Sequence, residues 1–171
     1  MKLAMAALLL CASGMHAQDK YDGLWQGYDG EWRYVSRQLV QLAEAIPAEK
    51  YGWRPGPGVR SVSEVIMHIA IANYGLLANT GVKSPADLKP GIETTVTAKA
   101  EVIAWLKRSL DTVKTAHLNV KPGDFTRKIK NGDYDSTVDA MYLRIIVHAN
   151  EHMGQLVAYA RMNGIVPPWS K

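Results

Sequence analysis

Cysteine is almost missing from this chain: its 171 residues contain one, Cys11. A disulfide framework and a thiolate metal site of several cysteines are therefore excluded. Long apolar runs are missing as well. No stretch reaches the roughly 18 residues needed to span a bilayer. A strong charge of one sign is absent: 20 Lys and Arg face 16 Asp and Glu, a net charge of +4. That imbalance is too mild to imply nucleic acid by itself. Strand-like alternation is also scarce. What is present is ordinary for a folded protein, with 47% apolar and 21% charged residues, a balance that argues against a disordered or fibrous chain. The length fits one domain able to bury a core without staples.

The first 17 residues read as a secretory signal peptide. Lys2 is a minimal positive region, Leu3 to Ala12 a short apolar stretch, and Ser13, Gly14 and Ala17 supply small residues before a cut at Ala17. The expected organisation is a leader over 1–17 and one domain over 18–171, in the periplasm or secreted. Cleavage would remove Cys11 and, with Lys2, take the net charge from +4 to +3. A chain without thiols suits an oxidising compartment. Two alternatives are a lipoprotein leader cut before Cys11, although Leu10 stands where a small residue is wanted, and an N-terminal core helix.

Beyond the leader, helical periodicity dominates. Leu24, Tyr28, Trp32, Val35, Leu39 and Leu42 recur at helical spacing, predicting a helix over 21–45 that Pro47 ends. Residues 51–58 hold two prolines and three glycines and read as a loop. Ser61 and Glu64 form a capping-box pattern opening a helix over 61–79. A loop over 80–95 leads to a third helix over 96–118. Residues 119–135 are polar, with room for a short extended piece from Phe125 to Lys130. A fourth helix is expected over 136–163, stopped by Gly164 and Pro167-Pro168. Four amphipathic helices without a sheet predict an all-α four-helix bundle.

Four histidines lie outside the leader: His68, His117, His148 and His152. A spacing of four places His148 and His152 one turn apart on one helix face, able to share an ion. His68 lies on another predicted helix, one turn after Glu64, and a bundle can bring it opposite the pair. Three neutral imidazoles would leave a divalent ion an open position. The alternative for each histidine is a solvated face or a satisfied core position, and His117 is assigned to that alternative. His148-Ala149-Asn150-Glu151-His152 also matches the inverted zinc-protease pattern H-x-x-E-H. That pattern needs an acidic ligand downstream, and residues 153–171 contain no Asp or Glu. Glu151 is therefore read as an outer or solvent-facing group. Glu64 is the carboxylate expected to serve catalysis, with helix capping as its other role. Gln155 and Tyr159 share the face of His148 and are expected to line the pocket or the bundle interior. Trp53 and Trp169 are assigned to packing, and Lys121, Arg127, Lys128 and Lys130 to a solvated loop.

Trp53-Arg54-Pro55-Gly56-Pro57-Gly58-Val59-Arg60-Ser61 followed by His68, then His148-x-x-x-His152-x-x-Gln155-Leu156 with Tyr159, Arg161, Gly164, Pro167 and Pro168, resembles the DinB-like (YfiT-like) metalloenzyme family. The resemblance covers about residues 20–169. It implies a four-helix bundle of the DinB-like type and a divalent ion, zinc or nickel, held by His68, His148 and His152. It further implies a small-molecule substrate, with relatives described both as thiol-dependent transferases or isomerases and as hydrolases. Export would separate this chain from cytosolic thiols. The resulting expectation is an exported metal-dependent hydrolase or transferase. The alternative is a non-catalytic exported metal- or ligand-binding module. No nucleic acid and no membrane span are expected, and a homodimer is possible.

Overall fold

Four long helices carry the structure, a computed structural model that describes residues 27–170. They are α1 (Tyr28–Ala45), α2 (Val62–Ala78), α4 (Lys99–Asn119) and α5 (Val138–Met162), with a one-turn helix α3 (Ile92–Thr95) between α2 and α4. The expected leader over 1–17, the domain start at 18 and the first turns of the helix expected from 21 lie outside the described residues. An antiparallel hairpin, β1 (Lys128–Asn131) and β2 (Tyr134–Thr137), precedes α5 and pairs Ile129 with Ser136. Gly132 turns it with φ +59°, a conformation that glycine adopts without strain.

Local chemistry explains the boundaries. Ser61 accepts the Glu64 amide and Glu64 accepts the Ser61 amide, so the capping box at the start of α2 is complete. Ile46 caps α1 in an extended conformation, directly before Pro47. Gly164 closes α5 with φ +73°. At 25 residues, α5 is about 38 Å long.

Tertiary bonds give the helix directions. Tyr28, opening α1, donates to the Tyr142 carbonyl near the start of α5. Lys99, opening α4, donates to the Glu44 and Ile46 carbonyls at the end of α1. Asn79, just after α2, reaches Met141, and Tyr159, late in α5, reaches Arg60 just before α2. Thus α1 and α5 run one way and α2 and α4 the other, and the long 79–98 connection joins two parallel helices. The main packing partners of both α1 and α2 are α4 and α5. Between the helices, Trp32, Leu39, Leu42, Val65, Ile69, Leu77, Leu106, Val113, Ile145 and Leu156 form part of one buried cluster. Each such side chain contributes about 1.5–3 kcal/mol by leaving water. The indole N–H of Trp32 is satisfied by the Leu110 carbonyl at 3.1 Å. Among the described residues, no helix is long and apolar enough to cross a membrane.

Candidate metal centre

His68 stands on the second turn of α2, and His148 and His152 stand one turn apart near the middle of α5. Because α2 and α5 pack against each other, the three rings converge. Their centroids lie 5.1 Å (His68–His148), 4.8 Å (His68–His152) and 4.5 Å (His148–His152) apart. One ring nitrogen from each lies within 4.8 Å of the other two.

Hydrogen bonds settle which nitrogens are available. The Arg60 carbonyl can only accept, so the Tyr159 hydroxyl donates to it at 3.2 Å. That hydroxyl accepts from Gln155 Nε2 at 2.7 Å, which turns Gln155 Oε1 toward His152 Nδ1 at 2.8 Å. His152 Nδ1 must therefore carry the proton, and its Nε2 keeps a lone pair. His68 Nδ1 donates to a Glu93 carboxylate oxygen at 3.0 Å, so its Nε2 keeps a lone pair too. His148 Nδ1 is buried with no partner among the described residues, and the ring directs Nε2 at His68 Nε2, 3.3 Å away.

This donor set suits a divalent ion. Two nitrogens bound to one tetrahedral ion at about 2.0–2.1 Å would be about 3.3–3.4 Å apart, and the His68–His148 pair already shows that spacing. Carboxylate and amide partners on the far nitrogen are the usual way metal-binding imidazoles are oriented. Electrostatics agree, since only neutral imidazole binds metal. Burial, then the neighbouring His152 and His68 rings, push the His148 pKa down to about 4. Burial likewise lowers His68, against the opposing pull of Glu93. The imidazoles of His68 and His148 therefore stay neutral to lower pH than a free histidine.

Glu93 and Gln155, the partners of His68 and His152, also line a polar cavity of about 600 Å³, together with Arg54, Gly58, Val59, Arg60, Glu64 and Thr94. Glu64 is in this wall, but both its oxygens are engaged: one accepts the Ser61 amide at 2.7 Å, the other Arg54 Nη2 at 2.9 Å. Although burial opposes it, these bonds hold the Glu64 carboxyl below its ordinary range. Helical spacing puts Glu64 one turn from His68, yet the capping box turns its carboxylate back toward the helix start. The carboxylate that meets His68 is Glu93, from α3 in the 79–98 connection. Sequence reasoning missed it because the pair lies 25 positions apart, across the rest of α2 and the loop that follows it. Burial opposes ionisation of Glu93 too, and the Arg60 and His68 bonds outweigh it, lowering its pKa. Arg60 thus ties together both outer partners, through its side chain to Glu93 and its carbonyl to Tyr159.

The remaining residues fall elsewhere. His117 is fully buried at the other end of the bundle, with Nδ1 2.8 Å from Asp29 Oδ1 and its ring stacked on Tyr28 at 4.2 Å. Glu151 is exposed and takes both Arg144 Nη groups at 2.9 Å. Trp53 packs edge-on against Tyr159, and Trp169 rests against the core.

Comparison with known proteins gives the family and the fold. The model of the DinB superfamily matches residues 31–156. A DinB-like protein from Bacillus cereus has a similar crystal structure, with TM-score 0.74, 20% identity, and coverage of 83% of this chain and 94% of that one. A DinB-like protein from Bacillus subtilis gives TM-score 0.66 and 16% identity over 84% of this chain and 96% of its own. YfiT from Bacillus subtilis, described as a probable metal-dependent hydrolase with an unusual four-helix bundle topology, gives TM-score 0.64 and 15% identity over 86% and 93%. No curated protein matches the chain.

Proposed function

The chain belongs to the DinB superfamily, and from that premise we propose that it is a metal-dependent hydrolase or transferase acting on a small molecule, with a divalent ion, zinc or nickel, held by His68, His148 and His152. The observation that carries the reading is the convergence of three imidazoles from two helices, two of them with Nδ1 committed to Glu93 and Gln155. When bound, such an ion supplies Lewis acidity toward a carbonyl or an ionisable nucleophile. The protein's own contribution is positional. Glu93 and the Gln155–Tyr159 chain hold two rings in one tautomer, and the adjoining cavity admits a ligand from solvent. YfiT, described as a probable metal-dependent hydrolase, supports the same assignment. Metal analysis of purified protein, then a panel of ester, amide and thiol-transfer substrates on the loaded form, tests it. Turnover that disappears in His148→Ala supports the enzyme.

One observation favours a second reading, a non-catalytic metal- or ligand-binding module. Both carboxylates in the cavity wall, Glu64 and Glu93, have their oxygens engaged, which leaves neither of them ready as a base. Tight metal binding without turnover across the panel would select that reading.

Export belongs to the proposal as well. The apolar stretch and small residues before Gln18 motivate it. N-terminal sequencing of protein from its native host should begin near Gln18. A cytosolic protein beginning at Met1 would overturn export and restore thiol cofactors to consideration.

A further inference from the structure

Arg60 is held at two points and left open at a third. Its carbonyl accepts the Tyr159 hydroxyl, and its Nε donates to Glu93 at 2.5 Å. Those bonds fix the backbone and one edge of the guanidinium. The two terminal nitrogens have no partner among the described residues, and the side chain, 43% exposed, lines the cavity beside the histidines. Arg54 lines the same cavity but is occupied, with Nη1 on the Val59 carbonyl and Nη2 on Glu64. A planar fork of two N–H donors, oriented in advance, matches the two oxygens of a carboxylate. Preorganisation matters here, because a side chain already ordered loses little freedom on binding.

Charge points the same way. Arg54 pairs with Glu64 and Arg60 with Glu93, so the wall is balanced by its own residues. Among the described residues, no carboxylate belongs to the three-histidine group. A divalent ion there would keep its two positive charges and favour an anionic ligand.

We propose that the Nη edge of Arg60 is a carboxylate-binding subsite, so that the substrate is a small organic acid whose reacting group faces the three histidines while its carboxylate sits on Arg60. The inference rests on the metal-centre reading above and extends it to a substrate class.

Two probes test it on nickel-loaded protein: succinic acid monohydroxamate, which chelates through one end and carries a carboxylate at the other, and its neutral terminal amide. Calorimetric titration should show the acid binding about tenfold more tightly than the amide, as a charge-assisted bidentate contact predicts. Arg60→Gln should bring that ratio close to one, and Arg60→Lys should restore part of it, since lysine keeps the charge but not the fork. The ratio is insensitive to a general weakening of the centre, which would affect both probes. A wild-type ratio near one, a ratio unchanged in Arg60→Gln, or binding of neither probe by nickel-loaded protein would overturn the subsite. Failure to hold either nickel or zinc would instead overturn the metal reading. In that event, metal-free protein titrated with succinate still judges Arg60: weak binding lost in Arg60→Gln supports the subsite, and equal behaviour of the two proteins overturns it.

Discussion

His68 and His117 each pair Nδ1 with a carboxylate, at 3.0 Å to Glu93 and 2.8 Å to Asp29. Each sits on a long helix of the same bundle, and they lie toward opposite ends of it. Their surroundings separate them. The His68 ring meets two more imidazoles and lies beside a polar cavity. The His117 ring meets Tyr28 at 4.2 Å, Tyr142 at 5.0 Å and Phe125 at 5.6 Å and is wholly buried. A histidine–carboxylate pair alone therefore specifies nothing. What the second nitrogen faces decides between a ligand and a core residue.

The sharpest way to break this comparison is to truncate each histidine. His68→Ala, His148→Ala and His152→Ala should each lower metal affinity by more than the roughly 10–100-fold typical of losing an outer partner. The fold should persist, because the buried helix faces do not depend on the ion. His117→Ala should do the reverse, leaving metal affinity within a few-fold while costing about 2–4 kcal/mol of stability, as removal of a buried, bonded ring predicts. Metal titration and thermal melts of the four variants decide it. Equal affinity loss in His117→Ala, or none in His68→Ala, would erase the distinction.

A second test lies one bond further out. Glu93→Ala removes the acceptor that fixes the His68 tautomer, and Gln155→Ala does the same for His152. Each should weaken metal binding by about 10–100-fold. The corresponding change at the buried end, Asp29→Ala, should leave it untouched.

Much of this was legible beforehand, and what was not has a common cause. The helices expected over 61–79, 96–118 and 136–163 are found as Val62–Ala78, Lys99–Asn119 and Val138–Met162, and the first ends at Ala45 as expected. Caps, prolines and 3.6-residue periodicity are local signals, and they carry these elements. The hairpin was visible only as a possible extended piece over 125–130, because Lys128–Thr137 has little apolar alternation. The short α3 was hidden at the end of the loop expected over 80–95, directly after Pro90 and Gly91. His148 and His152 could be paired by spacing, but joining His68 to them required the family resemblance. Glu93 and Asp29 carry no local signal at all, since their partners come from other helices. Glu64 shows the converse: the i, i+4 spacing to His68 is real, but the stronger local bond to the Ser61 amide claims the side chain.

Acidity gives a graded test. The folded His148 pKa is about 4, below the ordinary 6.5 of an unfolded histidine. Between those values the unfolded chain binds a proton that the folded chain does not, so stability is lost as pH falls through this window. Metal-free protein should be flat above about pH 6.5 and lose stability steadily toward pH 4. Metal affinity should persist below pH 6.5 for the same reason. Chemical denaturation at a series of pH values checks the first, and metal titration at pH 5.5 and 7.5 checks the second. Stability that does not fall between pH 6.5 and 4 would mean that the His148 ring is solvated like free histidine.

The smallest effect expected is at Glu151, which lies between His148 and His152 in sequence. In an inverted zinc-protease motif this residue would act at the ion. Here Glu151 is on the exposed face of α5, one residue before His152, and a helix step of about 100° turns it away from the cluster. Arg144 holds both its oxygens, and an exposed pair of this kind contributes little to stability. Glu151→Ala should therefore leave metal affinity, the acid-to-amide probe ratio and the melting temperature essentially where they are. A large loss of affinity would place Glu151 inside the site and reopen a peptidase-like arrangement, while a large loss of stability alone would show that the Arg144 pair anchors α5 more firmly than its exposure suggests. Glu93, far from the histidines in sequence, should thus matter most among the carboxylates, and Glu151, which lies between two of them, should matter least.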